Sequence, residues 1–129
     1  MTEPDDDVVE LATMLFGLAR SGATDRLAGY LDAGVDANLT NQSGDSLLML
    51  AAYHGHPDTV GALLARGADP NRSNDRGQTP LAGAVFKAEL EVIRRLVASG
   101  ADPQAGQPSA FATAALFERP DLAELLTPG

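Results

Sequence analysis

"LLARGADPN", residues 63–71, is flanked by two near copies of itself: "YLDAGVDAN" at residues 30–38 and "LVASGADPQ" at residues 96–104. Gly34, Gly67 and Gly100 keep a constant step of 33 residues, and so do Asp36, Asp69 and Asp102. A fixed period between about 20 and 50 residues marks a chain built of stacked units, each burying its apolar face against the next. The string recurs because every unit must end a helix and turn the chain in the same way.

The residues around the string describe that unit. In "SLLMLAAYHG", residues 46–55, Leu47, Leu48, Leu50, Ala51 and Ala52 give a first short helix, and the small alanines let a neighbouring helix come close. "HPDTVGALLARG" then gives a second helix. Pro57 suits its first position, where a missing N–H costs nothing, and Asp58 suits the positive end of the helix dipole. Val60, Leu63 and Leu64 form an apolar stripe at three- and four-residue spacing. Gly67 follows as the residue that takes a left-handed backbone after the helix, and "ADPN" leaves as a turn. In the next copy, residues 74–104, the stretch "GQTPL" offers Thr79 as a helix cap and Pro80 as the opening residue.

Composition sets limits on function. The chain has 129 residues, 44% of them hydrophobic and 5% aromatic, so it can bury one core made mostly of Leu, Ala and Val. Its formal net charge is −9, a field that disfavours nucleic acid and anionic membranes as partners. Charge is unevenly placed. Glu3, Asp5, Asp6, Asp7 and Glu10 crowd the first ten residues, which read as the cap and solubilising end of the first helix. Residues 66–95 instead carry six bases (Arg66, Arg72, Arg76, Lys87, Arg94, Arg95) against four acids. With no cysteine there is neither a disulfide nor thiol chemistry. The acidic opening "MTEPDDDVVE" is unlike a signal peptide, and no apolar run is long enough to cross a bilayer, so a soluble, cytoplasmic protein is expected. Eight arginines against one lysine, with abundant Ala and Gly, resemble the usage of a GC-rich bacterium.

At this point the chain closely resembles the ankyrin repeat. The matching residues are Gly77, Thr79, Pro80, Leu81, Ala84, Gly100, Ala101 and Asp102 in one copy. In the copy before it they are Gly44, Leu48, Ala51, Ala52, Gly55, His56, Val60, Leu63, Leu64, Gly67, Ala68, Asp69 and Asn71. The first copy keeps Ala19, Gly22, Leu27, Leu31, Gly34, Asp36 and Asn38, and begins directly as a helix capped within Thr2–Asp7. The last copy has a shorter connection, with Ser109 in the place of Thr79. Met49 and Ala82 stand where the family usually has a histidine that braces the turn, which implies looser packing there. The resemblance implies an all-α ankyrin-repeat solenoid of stacked helix–turn–helix units joined by hairpin-like loops. It spans residues 1–129 as one domain, with repeats at about 8–40, 41–73, 74–106 and 107–129.

The resemblance also implies a binding protein with no catalytic apparatus, whose partner is another protein held on a concave surface of loop tips and first-helix ends. Carried over by position, those ends are Arg20–Ser21, Tyr53–His54, Phe86–Lys87 and Leu116–Phe117. The loop positions are Gln42, Ser43 and Asp45 in one repeat and Asp75, Arg76 and Gln78 in the next. Tyr53, Phe86 and Phe117 are half of the six aromatics in the chain. Two roles are open to them: packing against the next repeat, or lining one groove with Arg72, Arg76 and Lys87 nearby. Aromatic and arginine side chains are the usual anchors of interfaces. Arg94 and Arg95 read instead as a solvated outer helix face.

Other chemistry finds little support. His54 and His56, two residues apart, point to different sides of a helix, and no cysteine completes a metal site. His56 matches a structural position of the family, and His54 is a candidate surface contact. A Ser43–His54–Asp58 triad has no nucleophile elbow around Ser43. No phosphate loop is present and no cofactor is implied. Beside the binding module stand two alternatives: an accessory factor or inhibitor that regulates one enzyme, and a self-associating protein in which Leu122, Leu125 and Leu126 of the last repeat need cover. A monomer is the expected state.

Overall fold

The structure of the chain is a computed structural model that describes residues 4–127. Eight helices follow one another: α1 (Pro4–Ser21), α2 (Thr24–Asp32), α3 (Leu47–Tyr53), α4 (Pro57–Ala65), α5 (Pro80–Phe86), α6 (Leu90–Ala98), α7 (Ala110–Leu116) and α8 (Pro120–Leu125). Consecutive helices pack in pairs and the pairs stack. The odd-numbered helices form one row and the even-numbered helices the other. This is the all-α solenoid that the 33-residue period implies. Among the described residues there is no strand, only isolated bridges at Thr40–Ser46 and Gly106–Ser109 in the loops. The helix cap expected within Thr2–Asp7 lies outside the described residues, because α1 already begins at Pro4.

Each odd helix from α3 onward starts on a hydroxyl cap. Ser46 Oγ accepts from the Met49 N–H at 3.0 Å, Thr79 Oγ1 from Ala82 at 3.1 Å and Ser109 Oγ from Ala112 at 3.1 Å. Such caps satisfy one of the orphan donors of a helix start. The core runs the length of the stack: Leu15 and Leu27, Leu47, Leu48 and Leu63, Leu81, Ile93 and Leu96, then Leu122 and Leu126 are all buried. Each such side chain contributes about 1.5–3 kcal/mol. In the stripe of α4, Val60 and Leu63 are buried while Leu64 is only partly so. Met49 and Ala82, the positions where looser packing is expected, are buried at 6% and 7% exposure and line a cavity. Of the leucines of the last repeat that need cover, Leu122 and Leu126 are buried within the chain and Leu125 is partly buried.

The recurring turn has a geometric reason. Gly34, Gly67 and Gly100 adopt φ of +113°, +94° and +91°, a left-handed backbone that suits glycine. The aspartate two residues on accepts from the backbone two residues beyond it: Asp36 from Asn38, Asp69 from Asn71 and Asp102 from Gln104, each at 2.9 Å. The asparagine then reaches the next unit. Asn38 Nδ2 donates to the Gly67 carbonyl at 3.1 Å, and its Oδ1 accepts from the Asp69 N–H at 2.7 Å. Asn71 repeats this on Gly100 and Asp102 at 3.4 and 2.6 Å. "GADPN" is therefore a turn and an inter-unit staple in one string.

Candidate functional site

The loops that precede α3 and α5 project beside the row of odd helices, and a concave surface lies between the two. Asparagines build those loops. Asn41 Oδ1 accepts from the N–H groups of Ser43 and Asp45 at 2.9 and 3.0 Å. Asn74, buried at 6% exposure, does the same for Arg76 and Gln78, each at 3.0 Å. Its amide also donates to Asp45 Oδ1 and Gln78 Oε1, each at 2.8 Å. The Asp75 N–H donates to the Ser43 carbonyl at 3.0 Å, and the Gln107 N–H to Gly77 at 2.9 Å, so successive loops are joined edge to edge. One buried amide thus fixes the position of Asp45, Arg76 and Gln78 together.

The odd helices supply the floor and the far wall. Met49, Leu50, Ala82 and Gly83 line the groove beneath Tyr53, Phe86, Leu116 and Phe117. Gly83 keeps the floor low. A methyl group added there would lie 3.4 Å from Met49 Cε and 3.6 Å from Tyr53 Cδ2. The cavity holds about 560 Å³ and is lined in addition by Arg20, Asp45, His54, Arg76, Gln78, Pro108 and Thr113. Tyr53 is 36% exposed, Phe86 54%, Phe117 48% and Leu116 73%, although all are large apolar or aromatic side chains. The Phe86 and Phe117 rings meet edge to face with centroids 5.4 Å apart, and Tyr53 meets His54 in the same way at 5.4 Å. Lys87 Nζ sits 5.1 Å from the centroid of the Tyr53 ring, within range of a cation–π contact.

Of the residues singled out from the sequence, Tyr53, His54, Phe86, Phe117, Asp45, Arg76 and Gln78 come together in this groove. Lys87 lies beside it on Tyr53. Arg72, Asp75 and Gln42 do not line it. Arg72 and Asp75 are exposed outside the groove, and Gln42 borders a separate hollow with Val9, Phe16 and Arg20. Arg94 and Arg95 are solvated on α6, where they pair with Glu91 and Asp58. His56 is structural: its Nε2 lies 2.6 Å from the Arg20 carbonyl, and its ring occupies the space left by the missing side chain of Gly22. Sequence reasoning missed Asn74, Met49, Ala82 and Gly83 as makers of the site. The signal was present, because Asn41 and Asn74, like Met49 and Ala82, repeat at the 33-residue step.

The charge of the groove is cationic. Arg20, Arg76 and Lys87 border it and take part in no ion pair among the described residues, whose pairs are Arg66–Asp32, Arg94–Glu91, Arg95–Asp58 and Arg119–Asp121. Asp45 is its single acid, and one oxygen of Asp45 is taken by Asn74. Among the described residues no three His, Cys, Asp or Glu side chains group as a metal site requires. No helix among them is long and apolar enough to cross a membrane.

A family model described as ankyrin repeats, in three copies, matches residues 15–107. A protein of Pseudomonas aeruginosa that is named as an ankyrin repeat protein is 52% identical over 54 residues, 42% of this chain and 32% of that one. The matched segment thus spans about a third of the length of that relative.

Proposed function

The chain belongs to the ankyrin-repeat family, and on that premise we propose that it is a non-catalytic module that binds another protein in the groove between its loops and odd-numbered helices. The observation that carries this reading is the row of Tyr53, Phe86 and Leu116, left exposed at equivalent positions of three successive units, with Phe117 exposed beside Leu116. Exposed apolar surface of this extent beside polar groups is typical of interaction sites. The stacked helices and the Asn74 network hold the groove in shape before anything binds, so association sacrifices little conformational entropy. Tyr53, Phe86 and Phe117 act as anchors, while Asp45, Arg76, Gln78 and Lys87 set register and specificity.

The test is capture of partners from the host lysate on the immobilised chain, with two folded control variants. Tyr53→Ala/Phe86→Ala removes the anchors. Gly83→Leu fills the floor and leaves every lining side chain in place. A protein retained by the wild type and lost by both variants supports the groove. Equal capture by all three removes the groove from the account and moves the interface to the even-numbered helices.

A further inference from the structure

We propose that the occupant of this groove is a peptide segment that combines apolar side chains with aspartate or glutamate. The inference rests on the reading that the groove binds protein, and it adds the chemistry of what is bound. Three observations carry it.

The first is charge. The chain as a whole is strongly acidic, with a net charge of −9, yet Arg20 and Arg76 line the groove against one lining acid, Asp45, and Lys87 lies beside it on Tyr53, while Asp75 and Glu118 are exposed next to Arg76 and Phe117 outside the lining. These three cations belong to α1, to the loop before α5 and to the end of α5, so they surround the apolar strip from different elements. Arg66, Arg94, Arg95 and Arg119 are paired with carboxylates of the chain itself, whereas the three cations at the groove, like Arg26 and Arg72 outside it, form no ion pair among the described residues. Carboxylates brought against them would complement the local potential, which raises association rates and fixes register.

The second is shape. The groove is a concavity of about 560 Å³ that is open to solvent, a form that a protruding segment can enter. The third is the mixed lining. Met49, Ala82, Phe86 and Phe117 are apolar, and Arg20 and Arg76 join them from α1 and the loop before α5. The matching ligand therefore combines apolar side chains with acids.

The experiment is selection from a random peptide library displayed on phage, on immobilised wild-type chain, after depletion on the Tyr53→Ala/Phe86→Ala variant. Enriched peptides that carry apolar or aromatic residues together with Asp or Glu are the expected result. A synthetic peptide from that set is then titrated against Arg76→Glu/Lys87→Glu and, as a milder variant, Arg76→Gln/Lys87→Gln, with circular dichroism confirming the fold of each. Affinity should fall by about tenfold or more on charge reversal, less on neutralisation, and should weaken as salt is raised. Enriched peptides that are neutral or basic, or an affinity indifferent to both variants, overturn the proposal while leaving the groove as a protein site. Failure of the library to yield any groove-dependent peptide overturns a peptide occupant, and the lysate capture then decides separately whether a folded surface binds. Self-association of the wild type that the Tyr53→Ala/Phe86→Ala variant abolishes also overturns it, and gives the groove to the acid-flanked Val8–Val9 of a second copy, side chains that are 65% and 61% exposed on α1.

Discussion

The side-chain oxygen of Asn38 accepts a hydrogen bond from the backbone N–H of Asp69 at 2.7 Å, while its amide donates to the Gly67 carbonyl. The two residues are in consecutive turns, so this asparagine ties one repeat to the next through groups that no helix can satisfy. Each such bond contributes about 0.5–1.5 kcal/mol net. Asn38→Ala is therefore expected to lower stability by about 1–2 kcal/mol, and Asn71→Ala by a similar amount, in urea unfolding. Gln104 occupies the same place in the third turn, and its side chain makes no hydrogen bond among the described residues, although its N–H bonds Asp102 as in the other turns. Gln104→Ala should stay within about 0.5 kcal/mol of wild type, as surface substitutions usually do. Equal losses at all three positions would show that the asparagines act within their own turn and do not couple repeats.

The turn between the two helices of each pair makes a second prediction. Gly22 and Gly55 adopt φ of +74° and +75°, but the equivalent residues in the next pairs are Ala88 and Glu118, at +56° and +54°. A left-handed conformation costs a side-chain-bearing residue about 1–2 kcal/mol, and glycine gives back part of that in unfolded-state entropy. Ala88→Gly and Glu118→Gly should each stabilise the fold by about 0.5–1 kcal/mol. Gly22→Ala should do the reverse, and more strongly. Its Cβ would fall 2.5 Å from His56 Nδ1, so the ring that bonds the Arg20 carbonyl must move. A loss of about 2–3 kcal/mol combines the backbone strain with that hydrogen bond. Thermal unfolding of the four proteins side by side checks the ordering.

These two cases show what was legible in the sequence. The period of Gly34, Gly67 and Gly100 carried the fold, because a repeated turn and a repeated apolar stripe leave a stacked solenoid as their solution. The caps at Thr79 and Ser109 were legible because hydroxyl capping is local. The groove was legible in part: Tyr53, Phe86 and Leu116 could be placed by register alone, with Phe117 following at the next position. Which cations share the groove could not, since Arg72 and Arg76 differ by four residues in a loop whose path is set by the side chain of Asn74. The role of Asn38 was hidden for the same reason. Its partners lie 29 and 31 residues away, and no local pattern names them. The part that Met49 and Ala82 play in the groove was not legible either, because a residue that departs from the family pattern does not say by itself which surface it lines.

Acid should act first on the ion pairs that join or close the even-numbered row. The Arg66 guanidinium, chiefly through its hydrogen bond, holds the Asp32 carboxyl below the ordinary aspartate value, and Arg119 does the same to Asp121. A carboxyl whose pKa is lower in the folded chain contributes stability that is complete above the unfolded value of about 3.9 and is lost as pH falls through the folded one. Both groups are exposed, so the effect is small and screened by salt. The melting-temperature gap between wild type and Asp32→Ala should be present at about pH 7 and shrink toward about pH 3. A gap that widened toward acid would mean that the pair does not set the titration of Asp32.

The row of exposed aromatics gives the prediction on which the function depends. Two roles are open to Tyr53 and Phe86: packing against the next repeat, or contact with a partner. They differ in what truncation does to the fold. Ile93 and Leu48 have no exposed surface, and their replacement by alanine should cost about 2–5 kcal/mol. Phe86 keeps 54% of its surface in solvent and Tyr53 36%. Phe86→Ala forfeits the edge-to-face contact with Phe117, a loss of about 0.5–1.5 kcal/mol. Tyr53→Ala forfeits the contacts with Lys87 and His54, for about 1 kcal/mol. Each variant should therefore unfold in urea close to wild type and far from Ile93→Ala. Were Phe86→Ala to cost as much as Ile93→Ala, the aromatic row would be part of what holds the repeats together, and the groove would lose the anchors that make it a binding site.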